Sequence, residues 1–131
     1  MSLSDYWMEP AMHYQITRDS LEPRQVGSPG VVARFMNADE HGLETISLML
    51  GEIQPGDGPR LHRHDYEEVF VIAEGRGTFV IGGETVEAGP GEIVLVPAGI
   101  PHRFSNAGDS LLRVTSVHGA AKVAIEWLEP A

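Results

Sequence analysis

The sequence predicts an all-β sandwich or barrel, and three observations predict it. Short runs rich in Val, Ile, Phe and Leu recur at 31–36, 43–53, 68–73, 77–81, 84–88, 92–97 and 111–118. Most have strand length, and turn residues separate them at nearly even spacing. The 15 glycines and 9 prolines punctuate the chain and do not gather into a linker. No stretch carries a convincing long helical period.

Taken in order, residues 1–30 hold Pro10, Pro23 and Pro29 and read as an N-terminal arm with one strand near 12–17. Residues 31–131 make the barrel. The run 43–53 alternates, with Thr45, Ser47 and Met49 on one side and Glu44, Ile46, Leu48 and Leu50 on the other. The first side is mixed in polarity, as expected of a strand lining a pocket. In Ile81-Gly82-Gly83-Glu84-Thr85, two glycines between β-rich runs give a hairpin signal. The segment 122–128 is ambiguous: Val123, Ile125 and Trp127 alternate as in a strand, but the stretch is short enough to be helical. Trp127 is expected on the barrel exterior or at a subunit contact.

Composition bounds the function. The 131 residues suit one domain, and 42 % apolar residues can fill one core. A net charge of −10, from 9 basic and 19 acidic residues, argues against nucleic acid and anionic membrane surfaces as partners. It fits a protein that handles a small molecule. No run approaches a membrane span, and no signal peptide is evident, so the expected location is cytoplasmic. Cysteine is absent, so any metal site must use histidine, carboxylate, amide or carbonyl ligands.

The segment Leu61-His62-Arg63-His64-Asp65-Tyr66-Glu67-Glu68 directs attention to a metal. In a strand, His62 and His64 point to the same face. On a straight strand Glu68 would lie about 13 Å from His64, too far to share an ion. A hairpin at 65–67 would return it opposite the histidines. A fourth candidate, His102, follows the stiff loop Pro97-Ala98-Gly99-Ile100-Pro101. Three imidazoles and one carboxylate suit Fe, Mn, Ni, Cu or Zn.

The spacing resembles a known family. Gly56, His62, His64, Glu68 and Gly75 fit the first cupin motif, G-x5-H-x-H-x3/4-E-x6-G. Gly91, Pro97, Gly99, His102 and Asn106 fit the second, G-x5-P-x-G-x2-H-x3-N. The 15 residues between them match the short spacing of small microbial cupins. The resemblance implies a single-domain jelly-roll β-barrel with an N-terminal arm that packs on the barrel or on a partner subunit. It implies one divalent transition metal per chain held by His62, His64, Glu68 and His102, and a homodimer. Gly75 and Gly91 are expected at turns, and Asn106 as a turn cap.

Other residues carry paired readings. Arg60 shares parity with His62 and either holds a substrate anion or lies in a surface loop. Met49, Phe70, Ile72 and Phe104 are core, with a second role as an apolar substrate wall. Tyr66 is a turn tyrosine, exposed or offering its hydroxyl at the mouth. His13, His41 and His118 fall outside the motifs and read as surface or as neighbours of the ligands, with His118 nearest the site.

Fold does not fix function. The favoured expectation is dioxygenase-type oxidation of a small molecule, with Glu68 as a base if it loosens from the ion. One alternative is metal-dependent isomerase or lyase chemistry on a carbonyl or sugar substrate. The run 62–75 and the loop 96–106 also resemble small cupins loosely linked to sugar-phosphate isomerases. A phosphosugar needs a basic pocket, and only Arg60, Arg76 and Arg103 lie near the motifs. The other alternative is a non-catalytic metal or ligand-binding module.

Overall fold

A computed structural model describes residues 14–130. Its strands are β1 (Pro23–Val26), β2 (Ser28–Met36), β3 (Ser47–Ile53), β4 (His62–Arg63), β5 (Glu68–Glu74), β6 (Gly77–Ile81), β7 (Glu84–Ala88), β8 (Ile93–Val96), β9 (His102–Asn106), β10 (Leu112–His118) and β11 (Glu126–Trp127). They form a six-stranded sheet, β1-β2-β3-β10-β5-β8, and a five-stranded sheet, β11-β4-β9-β6-β7. Every strand pairing is antiparallel. The two sheets face each other as a jelly roll.

Alternation explains the core. Along β10, Leu112, Val114, Ser116 and His118 are buried, and the residues between them face outward. Phe70 and Ile72 of β5, Phe79 of β6, Phe104 of β9 and Ile53 of β3 meet them. Phe79 stacks on Phe104 with ring centroids 4.8 Å apart, and Phe70 lies 5.2 Å from each. Such aromatic packing adds to the area each ring buries.

Local chemistry sets the turns. Gly82 (φ 58°) opens the two-residue hairpin between β6 and β7. Asn106 behaves as the predicted cap. Its amide donates to the carbonyls of Ile53 (2.9 Å) and Ser110 (2.8 Å), and its oxygen accepts from the Gly108 N–H. The loop before β4 is held along β9 by the bonds Gly56 N–H to Asn106 O and Asn106 N–H to Asp57 O. A Cβ on Gly58 would fall 1.8 Å from the Phe104 carbonyl oxygen, so only glycine fits there. That clamp aims the chain at His62.

Three expectations need correction. Residues 43–46 are not strand: β10 ends at His118 opposite Ser47, so nothing is left for them to pair with. The strand expected near 12–17 lies partly outside the described residues, and 14–17 join no sheet; a 3-10 turn at Arg18–Ser20 follows them. Within the stretch read as an arm, Pro23–Val26 is instead an edge strand, with Val26 in the core. Proline is tolerated there because an edge strand needs no donor on its outer side.

Candidate metal centre

The four motif residues converge as the spacing requires, by a different route. β4 and β5 are not a hairpin. They belong to opposite sheets, and the turn at 65–67 carries the chain across the barrel. Glu68 therefore reaches the histidines from the facing wall. His62 and His102 are direct cross-strand partners on β4 and β9, with ring centroids 4.3 Å apart. One ligand atom each from His62, His64, Glu68 and His102 lies within 4.8 Å of the others, and all four residues are buried.

The hydrogen bonds fix which nitrogen faces inward. His62 Nδ1 lies 2.7 Å from the Arg60 carbonyl, His64 Nδ1 2.6 Å from the Ala124 carbonyl and His102 Nδ1 2.9 Å from the Ile100 carbonyl. A carbonyl only accepts, so each Nδ1 carries the proton and each Nε2 of the neutral ring keeps its lone pair. His102 Nε2 and His64 Nε2 then lie 3.0 Å and 3.1 Å from the same carboxylate oxygen, Glu68 Oε1. His64 Nε2 is buried and makes no hydrogen bond. Lone pairs facing a carboxylate repel unless a cation lies among them. Donors at right angles around an ion with ~2.1 Å bonds are about 3.0 Å apart, which matches these spacings. The residues fit a divalent transition metal. Such an anchored Nδ1–H is the usual outer support of a metal-binding histidine.

The charges follow from burial and contact. Desolvation and the neighbouring rings push His62 down to about 4, so it is neutral near pH 7. Burial alone would raise Glu68, but contacts with the His102, His118 and His64 rings, which can share protons with it when no ion is bound, outweigh burial and hold the carboxylate well below its usual range. His64 is pulled both ways; burial lowers it and Glu68 raises it further.

Beyond the four lies His118, fully buried on β10 and directly opposite Glu68. Its Nε2 is 3.1 Å from Glu68 Oε2, and its Nδ1 is 2.7 Å from the Tyr66 hydroxyl. Tyr66 is half-buried and stacks on His64 at 4.9 Å, and burial raises its phenol to about 12. The hydroxyl reading of Tyr66 is the one the geometry carries. His41 follows the 3-10 turn Ala38–Glu40 and is not one of the residues that line the cavity, and His13 lies outside the described residues.

The cavity beside the cluster is narrow, about 40 Å³, room for an ion with one or two waters. Met49, Phe70, Phe104, Val114 and Ile125 line it, and no lysine or arginine among the described residues does. Two residues expected at the pocket are elsewhere. Ile72 is buried in the core away from the cavity. Arg60 precedes β4, so strand parity does not extend to it; its guanidinium lies over the Trp127 ring at 4.6 Å and donates to the Gly27 carbonyl. The segment around 124–127 is a strap the sequence left undecided. Only Glu126–Trp127 is strand, paired with β4, and Ile125 closes the cavity. Trp127 is 36 % exposed, and its ring is 5.3 Å from that of His62.

Comparison with known proteins agrees with this geometry. The cupin domain family profile matches residues 49–118. The HTH-type transcriptional regulator PuuR of Escherichia coli is 28 % identical over 122 residues, covering 90 % of this chain and 65 % of its own length. The chain thus spans just under two thirds of that relative. The 5-aminosalicylate 1,2-dioxygenase of a Comamonas species is 33 % identical over 88 residues, covering 64 % of this chain and 23 % of its own. The polyketide cyclase RemF of Streptomyces resistomycificus superposes with a TM-score of 0.75 at 23 % identity, over 92 % of this chain and 88 % of its own. Among the described residues, no helix is long and apolar enough to cross a membrane.

Proposed function

We propose that this chain, a member of the cupin family, holds one divalent transition-metal ion on His62, His64, Glu68 and His102 and uses it for dioxygenase-type oxidation of a small, largely apolar molecule. One observation carries the metal: two Nε2 lone pairs, each set by an Nδ1–H to a backbone carbonyl, face one buried carboxylate oxygen. When bound, such an ion supplies Lewis acidity and, for redox metals, access to O2.

The chain's own residues shape the substrate class. Beyond the ion, the cavity has no lysine or arginine to pair a phosphate, which weakens the phosphosugar reading. Met49, Phe70 and Phe104 supply an apolar wall, and exclude water from the reacting centre. A substrate larger than the cavity must displace the partly buried side chains of Met49 and Ile125. Glu68 is the candidate base, with His118 retaining its second oxygen. Likeness to a protein named a dioxygenase supports oxidation; likeness to one named a cyclase supports the second reading, Lewis-acid chemistry without O2. A homodimer remains part of this proposal, tested by sedimentation equilibrium.

The test starts with elemental analysis of anaerobically purified protein beside His62→Ala/His102→Ala. About one metal ion per chain, lost in the double variant, supports the site. Oxygen uptake with diketones and catechols then favours the first reading, and turnover under strict anaerobiosis the second. Tight ligand binding without turnover makes the protein a binding module. A wild type that stays metal-free when Fe, Mn, Ni, Cu and Zn are offered overturns the assignment.

A further inference from the structure

We propose that His118 is a positioning residue for the metal centre, held as a hydrogen-bond donor so that it orients Glu68 and does not compete as a ligand. This rests on the metal reading above. The three motif histidines have Nδ1 against carbonyl oxygens, which only accept, and so offer Nε2 as a lone pair. His118 is wired the other way. Its Nδ1 is 2.7 Å from the Tyr66 hydroxyl, which has a proton to give. The Ala124 N–H supplies the Tyr66 oxygen with a donor of its own at 3.2 Å, and the Ala124 carbonyl, at 3.3 Å, is a more distant acceptor for the phenolic proton than His118 Nδ1. With Nδ1 accepting, the neutral ring carries its proton on Nε2. Two acceptors lie within reach of that nitrogen, Ser116 Oγ at 2.9 Å and Glu68 Oε2 at 3.1 Å.

The consequence falls on Glu68. One of its oxygens is occupied by His118 and the other, Oε1, is turned to His64 and His102. Without His118 the carboxylate could rotate and present either oxygen. Ala124 ties the two arms together: its carbonyl sets the tautomer of His64, and its N–H supports the Tyr66 hydroxyl that sets the tautomer of His118. The strap therefore contributes to the centre although it holds none of the motif residues.

The experiment titrates Co(II) into metal-free full-length wild type, His118→Phe, His118→Gln and Tyr66→Phe, reading affinity and the visible d–d spectrum. Support for carboxylate orientation is typically worth on the order of 10- to 100-fold in metal affinity, so His118→Phe should lose that much and change the spectrum. His118→Gln, whose amide N–H can reach the same oxygen, should recover most of both. Tyr66→Phe should lose less than His118→Phe, in the same direction. A folded His118→Phe that binds Co(II) as the wild type does overturns the role of His118 and leaves the metal reading intact. So does a glutamine variant as weak as the phenylalanine one. If His118→Phe does not fold, wild-type affinity and spectrum in Tyr66→Phe overturn the proposal. A wild type that binds no Co(II) overturns the metal reading itself.

Discussion

The barrel interior has two ends of opposite character, although the same strands build both. At one end β5, β9 and β10 turn Glu68, His102 and His118 inward. One to three inward positions further along, the same strands present Phe70, Ile72, Phe104, Val114 and Leu112. Period-two alternation decides only that these side chains face in; residue type decides what the space becomes. The apolar end is where burial stabilises the fold. The polar end places a carboxylate and four imidazoles out of bulk water, at a cost met by hydrogen bonds and, with the metal bound, by an ion. A stabilising apolar core and a desolvated binding centre are thus adjacent halves of one interior.

The comparison can be broken or sharpened by experiment. The largest effect is expected at the apolar end. Phe79→Ala removes a ring that is 1 % exposed and stacked on Phe104. It should cost about 3–5 kcal/mol by urea denaturation. A loss below about 1 kcal/mol would mean that the aromatic cluster is not what holds the sheets together.

Acid should act next, and at the polar end. His62 titrates near 4 in the folded metal-free protein against 6.5 in an unfolded chain. The unfolded state therefore binds the extra proton between these values, and stability falls as pH drops from about 6.5 to about 4. For His62 alone the change is about 3 kcal/mol. Glu68, held low, adds to the loss as pH falls through and below its ordinary value. His64 is raised, so its contribution is present below 6.5 and fades as pH rises through its folded value. Metal-free stability that stays flat from pH 6.5 to 4 would contradict this account of His62.

Metal should restore what the polar end costs. At a free Zn(II) concentration 100 times its dissociation constant, the wild type should gain about 2.7 kcal/mol, read as a thermal shift. His102→Ala should show none of that gain. An equal shift in the variant would place the ion elsewhere.

The smallest effect is expected at Arg60. Its stacking on Trp127 is worth about 0.5–1 kcal/mol, and its absence from the cavity lining predicts unchanged Co(II) affinity in Arg60→Ala. A marked loss of substrate affinity in this variant would return Arg60 to the site.

Legibility followed sequence range. The runs 77–81 and 84–88 coincide with β6 and β7 because their hairpin is set by neighbouring residues. The motif residues were readable from spacing because a rigid barrel demands fixed intervals. Parity could not choose between the two readings of Arg60 because it holds only inside a strand, and β4 has two residues. β1 was missed because Pro23 signals irregular chain, whereas an edge strand accommodates it.

By itself the sequence determined the all-β class, most strand positions and the four residues that converge. These depend on alternation, turn chemistry and spacing along the chain. Only the tertiary structure decided that Glu68 approaches from the opposite sheet, that His118 stands across from it in register, and that Ala124 sets the tautomers of His64 and, through Tyr66, His118. These contacts join residues some 50 to 60 positions apart. Local periodicity reports which face a side chain takes, but not what it will meet there.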